Sequence, residues 1–370
     1  MTGLRWMSAF SALSSLLFLF AGSPAEAFTT IPTDLVLQDP SILEDSEPID
    51  VVYTYVDKAD PEWKALRKKS LKLASDVLPQ AKRKCGCRDF DELKYSLRSI
   101  YAFAPFVRHI FIVTSGKKPK WLVDHPMVTV VSHDQIFTDK DHLPTFNSVA
   151  VESNLHRIPD LASRYIYFTS DLFLGKNVTR HDFYERPYKI KVFLSQKKIL
   201  DDGVKVDHVT KTLARNMCSF LESHTFGSDV QLKKDDLCYH AHTPLPMIKW
   251  IAELTEKQFP AVFASCSSHK FPSSKDMSIT NGLIPQYALK HGAGVAVKNA
   301  DSMTISFKGK PSHVQARIAA LGERKPMFFC VKDISTTKAN KVADAALRKF
   351  LEACFPNPAP WEHPVKRMHK

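Results

Sequence analysis

Two short runs constrain this chain more than anything else in it: "IDVVYTYVD" (Ile49–Asp57) and "RYIYFTSD" (Arg164–Asp171). Each is rich in β-branched and aromatic residues and ends on one aspartate, so each predicts a buried strand with a carboxylate at its carboxyl end. Between them, "DPEWKALRKKSLKLASDV" predicts a helix, with Asp60 as N-cap and Pro61 at the first helical position. "DELKYSLRSIYAFAP" places Leu93, Leu97, Ile100 and Tyr101 at helical spacing and stops at Pro105. "RHIFIVTSG" and "MVTVVSH" predict strands, and "SVAVESNLHRIP" predicts a helix closing at Pro159. The order strand, helix, helix, strand, strand, helix, strand calls for an α/β sheet with parallel strands. Asp57, Thr114, Ser115 and Asp171 then share the carboxyl edge, where such sheets bind ligands.

The second half is more mixed. "KTLARNMCSFLESHTFG" and "YHAHTPLPMIKWIAELTEKQFP" carry helices, "KPMFFCVKDI" predicts a strand ending at Asp333, and "ANKVADAALRKFLEACFP" gives a terminal helix with one apolar face. Glycine numbers only 12 in 370 residues and forms no Gly-rich fingerprint, which excludes P-loop and dinucleotide chemistry.

Lys plus Arg number 51 against 39 Asp plus Glu, a net charge of +12. Part of the surplus is local, in "KALRKKSLK" and "AKRKCGCR". It is either a solvated helix face or an attraction for an anionic substrate or glycan. No zinc-finger, helix-turn-helix or RNA-binding signature accompanies it, so nucleic acid is not an expected partner. At the N-terminus, Arg5 precedes an apolar stretch from Trp6 to Gly22, followed by Ala25-Glu26-Ala27. That pattern predicts a signal peptide over 1–27, a mature start at Phe28, and entry into the secretory pathway (Golgi lumen or secretion), with a signal-anchored form as the alternative. Seven cysteines would then meet an oxidising compartment, Cys218 with Cys238 being one candidate bridge, and the odd number leaves at least one unpaired. Asn177-Val178-Thr179 is an N-glycosylation sequon.

Four ordered blocks carry a resemblance. They are "IDVVYTYVDKADPEW"; "RDFDELKYSLRSIYAFAPFVRHIFIVTSGKKPKWL" with "LPTFNSVAVESNLHRI" and "YIYFTSDLFLG"; "HTPLPMIKW" with "HKFPSSKD"; and "FFCVKDI" with "FLEACFPNPAPWE". In this order they resemble the Stealth proteins, which include hexose-1-phosphate transferases of capsule synthesis and the N-acetylglucosamine-1-phosphotransferase α/β subunit. The resemblance implies one domain over 48–364, after a leader at 28–47 and before a basic tail at 365–370. It implies a nucleotide-diphospho-sugar transferase, glycosyltransferase-A-like sheet with helical C-terminal additions. It also implies transfer of a sugar 1-phosphate from a UDP-sugar to a hydroxyl of a glycan or glycoprotein acceptor, with release of UMP.

The catalytic positions it implies are Arg88, Asp171, His242 and Asp333. An imidazole titrates near neutrality and suits His242 to proton removal, against the alternative of a loop histidine bonded to backbone. Arg88 suits bidentate phosphate binding, whereas Arg98 also fits as a helix brace. Tyr53, Asp57, Asn147, Ser148, Lys270 and Lys332 are the expected substrate-binding residues. The chain departs from the family pattern where charge would be touched. Thr169-Ser170-Asp171 stands for Asn-Asp-Asp, Lys270-Phe271-Pro272 for Arg-Phe-Arg, and Lys332-Asp333 for Asn-Asp. Asp171 is then the expected ligand of a Mg2+ or Mn2+ ion that is weakly bound or dispensable, lysine replacing part of its charge. The alternative reading is a lapsed enzyme that keeps the fold as a glycan- or nucleotide-binding protein.

Overall fold

A computed structural model of the chain describes residues 47–82, 91–185, 188–198, 208–223, 238–306, 311–332 and 341–363. Arg88, Asp333, the leader and signal sequence, and the basic tail lie outside the described residues.

Apolar strands buried on both faces need neighbours on both edges, and β1 (Ile49–Tyr55) has them. It pairs in parallel with β2 (Val107–Thr114) on one side and β4 (Arg164–Thr169) on the other, Val51 lying beside Ile110 and Ile166. With β3 (Val128–Ser132) beyond β2, and β9 (Leu245–Ile248) antiparallel to β4, the order is β3-β2-β1-β4-β9. The fold is α/β, as the alternation requires. The chain walks outward from β1 to β3 and returns to the far side of β1 as β4. A crevice opens at such a reversal, outside the carboxyl ends of the strands.

Two smaller sheets complete the molecule. One contains β6 (Tyr184–Glu185), β7 (Lys189–Lys198), β8 (Cys238–His240) and β10 (Gly294–Lys298). The other joins β5 (Leu172–Leu174) to β12 (Phe328–Lys332), which pairs with β11 (Ser302–Ser306). β5 follows β4 after two residues, so Asp171 sits where the chain leaves one sheet for another. Gly175 ends that passage; a Cβ there would stand 2.2 Å from the Pro326 carbonyl oxygen. Only glycine fits so close an approach.

Helix α1 (Pro61–Leu73) is capped by the Asp60 side chain, and helix α2 (Glu92–Phe103) packs on β5. α2 is also tied to the end of the chain. Arg98 donates from Nε and Nη2 to the two carboxylate oxygens of Glu362, at 2.6 Å each, and from Nη1 to the Phe355 carbonyl at 2.8 Å. Arg98 is a brace. A second apolar cluster forms there, with Phe173, Phe329 and Phe355 stacked beside α4 (Pro311–Arg324) and α5 (Lys341–Cys354). Each well-placed aromatic pair adds about 0.5–1.5 kcal/mol to its burial.

The helix expected to run to Pro159 is broken. Only α3 (Ser148–Glu152) is α-helical, with a 3-10 turn at Leu155–Arg157. Ser153 and Asn154 both donate back to the Ala150 carbonyl, at 3.0 and 2.8 Å, offering the backbone an alternative to the next turn.

Candidate functional site

The carboxyl ends of β1, β2 and β3 surround a cavity of about 440 Å³. Asp57 reaches it from β1, Thr114–Lys117 from β2, and Ser132–Asp134 from β3. Trp63 and Leu66 of α1 and the segment Leu143–Phe146 form its apolar walls. Asp57 accepts from the Ala59 amide at 2.8 Å, fixing the turn into α1. Lys117 lies between Asp60 (3.2 Å) and Glu62 (2.8 Å) at the rim. Burial pushes the His133 imidazole down to about 4, so it is neutral at pH 7.

The crevice between β1 and β4 holds a second polar group. The Tyr167 hydroxyl donates to Glu152 Oε1 at 3.1 Å and shares a 2.9 Å hydrogen bond with Thr54. Glu152 keeps partial solvent access at its edge, but its carboxyl group is enclosed by protein. That desolvation raises its pKa to about 7, against the lowering effect of the Tyr167 bond. Burial raises the Tyr167 phenol well above its ordinary value, and the charges of Glu152 and Asp171 raise it further, so the three acids form one cluster.

Asp171 completes that cluster. Its Oδ1 accepts from Thr169 at 2.6 Å, its Oδ2 from the Cys330 thiol at 3.6 Å, and its carbonyl from the Val331 amide at 2.9 Å. The Cys330 thiol is pushed far up, first by burial and then by the Asp171 charge, while Lys332 acts in the opposite sense. Lys332 is the last residue of β12, two positions after Cys330. His242 is exposed in the turn before β9. Because β9 runs antiparallel to β4, with Leu245 beside Tyr167, that turn lies at the same carboxyl edge. Two residues earlier, both ring nitrogens of His240 are buried without a hydrogen-bond partner among the described residues, and burial lowers its pKa to about 4.

Three expected substrate contacts are corrected. Tyr53 is fully buried, its hydroxyl held 2.7 Å from Ser96 and its ring against Phe168, so it is core. Asn147 is buried and caps α3; Oδ1 accepts from Val149, and Nδ2 donates to Asp276 at 2.8 Å and to the His269 carbonyl at 3.2 Å. Lys270 donates to the Leu143 carbonyl at 2.9 Å and accepts from the Phe146 amide at 2.7 Å, bracing the cavity wall from behind. Ser148, beside that cap, is exposed.

Among the described residues, which do not include Asp333, the neighbours of Asp171 do not make a hard-cation site. Among the described residues no group of three His, Cys, Asp or Glu side chains could hold a metal ion. Asp171 has a hydroxyl and a thiol as neighbours, whereas Mg2+ and Ca2+ take several oxygen ligands.

A parallel sheet with acids and a cavity at its carboxyl edge defines an α/β protein of the ligand-binding, doubly wound kind. The chain belongs to the Stealth family: residues 86–192 match the family model described as Stealth protein CR2, conserved region 2. It is 35% identical over 324 residues to the exopolysaccharide phosphotransferase CpsY of Mycobacterium leprae, covering 85% of this chain and 57% of that protein. It is 32% identical over 348 residues to an exopolysaccharide phosphotransferase of Nocardia farcinica, covering 91% of this chain and 63% of that protein. The chain thus spans little more than half the length of these relatives. Among solved structures it is similar to the galactosyltransferase LgtC in complex with donor and acceptor sugar analogs, at a TM-score of 0.42 and 10% identity, covering 86% of this chain and 98% of that chain.

The relatives overturn the expected compartment. They come from mycobacteria, Streptomyces and Nocardia, bacteria that have no Golgi. The Golgi and secretory-pathway expectation is therefore wrong. Among the described residues no helix is long and apolar enough to cross a membrane. Cys266, Cys330 and Cys354 are thiols; the suggested Cys218–Cys238 bridge involves a Cys238 side chain that lies outside the described residues.

Proposed function

We propose that the chain transfers a hexose 1-phosphate, such as N-acetylglucosamine 1-phosphate, from a UDP-sugar to a hydroxyl of a glycan acceptor, releasing UMP. The observation that carries this reading is the acid cluster of Glu152, Tyr167 and Asp171 beside a nucleotide-sized cavity at one sheet edge. The relatives' name, exopolysaccharide phosphotransferase, supports the reaction class.

In this reading the nucleotide lies in the cavity and the pyrophosphate points toward the β1–β4 crevice. The acceptor oxygen attacks the β-phosphorus, and a new O–P bond forms as the bridging bond to UMP breaks. His242 takes the hydroxyl proton, for which an imidazole is suited near neutrality. Lys332 supplies positive charge beside Asp171, and a fixed ammonium stabilises charge that develops on the departing phosphate. Arg88 and Asp333 are proposed to contact the donor on the strength of the family resemblance.

Incubation with a UDP-sugar and an oligosaccharide acceptor tests the reading, with UMP as the expected nucleotide product. UDP would mean transfer of the sugar alone. Donor binding without either product would identify a lapsed enzyme. The same assay in excess chelator should keep a sizeable fraction of the rate seen with Mg2+ or Mn2+. Complete loss restored by metal would show that Lys332 does not take the cation's place.

A further inference from the structure

Helix α1 starts at the cavity, where Asp60 caps it and Trp63 and Leu66 form part of the wall, and runs outward for 13 residues without burying one of them. At 3.6 residues per turn, Trp63, Arg67, Ser70 and Leu71 share the inner face, and Lys64, Lys68, Lys69 and Lys72 the outer one. The inner four are half-buried, with Arg67 over the rings of Trp63 and Phe271, and the outer four are exposed. Lys64 reaches the Ala59 carbonyl at 3.2 Å. Lys68, Lys69 and Lys72 make no hydrogen bond or ion pair among the described residues.

Lys64, Lys68 and Lys72 follow one another at i, i+4 and i+8, a spacing at which like charges repel and weaken a helix. Only Glu62 opposes them within α1. An anion laid along this face would relieve the repulsion.

We propose that the outer face of α1 binds the acceptor when that acceptor is a polyanion carrying repeated phosphodiesters. This rests on the phosphotransfer reading. Each transfer joins a phosphate between two sugars, and the phosphodiester keeps one negative charge at neutral pH. An acceptor extended by this reaction therefore gains one charge per step, and α1 leads such a chain away from the donor cavity. An anionic bilayer is the rival occupant. Of the apolar side chains of α1, Leu66 and Leu73 stand out from the surface, 44% and 82% exposed. Two leucines make a far smaller apolar face than an interfacial helix buries.

Poly(glycerol phosphate), uncharged dextran and phosphatidylglycerol vesicles serve as probes, with binding read in the absence of donor. The wild-type chain should bind the polyphosphodiester, lose affinity as salt rises, and ignore dextran. Lys68→Glu/Lys69→Glu/Lys72→Glu should weaken that binding at least tenfold (about 1.4 kcal/mol) while its thermal shift with UDP-sugar stays that of wild type. Lys69→Glu alone should show a smaller loss if the triple variant fails to fold. Equal binding by wild type and variants, no binding by wild type, or binding to vesicles but not to polymer would overturn the proposal. Because no turnover is involved, a chain that binds polymer but yields no UMP separates failure of the reaction from failure of this surface.

Discussion

A carboxyl group that ionises near pH 7 exchanges its proton in the range where general acids and bases work best, and Glu152 is such a group. Its folded value of about 7 lies above the ordinary 4.5. The native state holds a proton that the unfolded chain has released, so the group's stabilising contribution is full below pH 4.5 and fades as pH rises through 7. His133 and His240, lowered from 6.5 to about 4, act oppositely: their contribution is present above 6.5 and lost as pH falls toward 4. The difference between wild type and Glu152→Gln isolates the glutamate. Thermal denaturation should show the variant gaining on wild type from about pH 4.5 to 7, by at most about 1.4 kcal/mol per pH unit. A flat difference would mean an ordinary carboxyl. His242→Ala should lower phosphotransfer roughly 100- to 10,000-fold with normal melting; near-normal turnover would remove His242 as the base. Sequence reading missed Glu152, because a glutamate at a helix end resembles any surface acid. The usable signal was its position after Val149, Ala150 and Val151, all buried.

At the scale of elements, the strands were legible because short β-branched runs bounded by turns have few other solutions. Side-chain direction was not. β1 is buried on both faces, so no alternation revealed that Tyr53 points into the core. Asn147 announced itself as polar and close to a turn, a description that suits an N-cap as well as a sugar contact. Arg98 shows how an element is held by distant sequence. Arg98→Met leaves Glu362 buried and unpaired, and denaturant unfolding should register a loss of about 3–5 kcal/mol. Converting Glu362 to Met as well should recover most of it, since the uncompensated charge is then gone. A small loss in the single variant would mean that water reaches the pair.

For the whole molecule, the α/β class and the shared carboxyl edge followed from the strand–helix order. The compartment did not, because an apolar N-terminal stretch carries no information about the kind of cell. Three thiols offer a check on the redox state of the fold. Unfolded without reductant, the chain should titrate at least three thiols, those of Cys266, Cys330 and Cys354. Fewer would place one of them in a disulfide. The site also has an order of assembly. Asp171 is fixed from the far end of the chain, by the amide of Val331 and the thiol of Cys330. Chains leave the ribosome amino end first, at about 5–20 residues per second. The cavity strands emerge early, yet Asp171 gains its long-range partners only after β12 is outside the tunnel. At that pace the nascent protein spends about 10–30 seconds with the cavity's strands made and Asp171 without its β12 contacts. The long-range anchoring of Asp171 therefore waits on a strand about 160 residues further along.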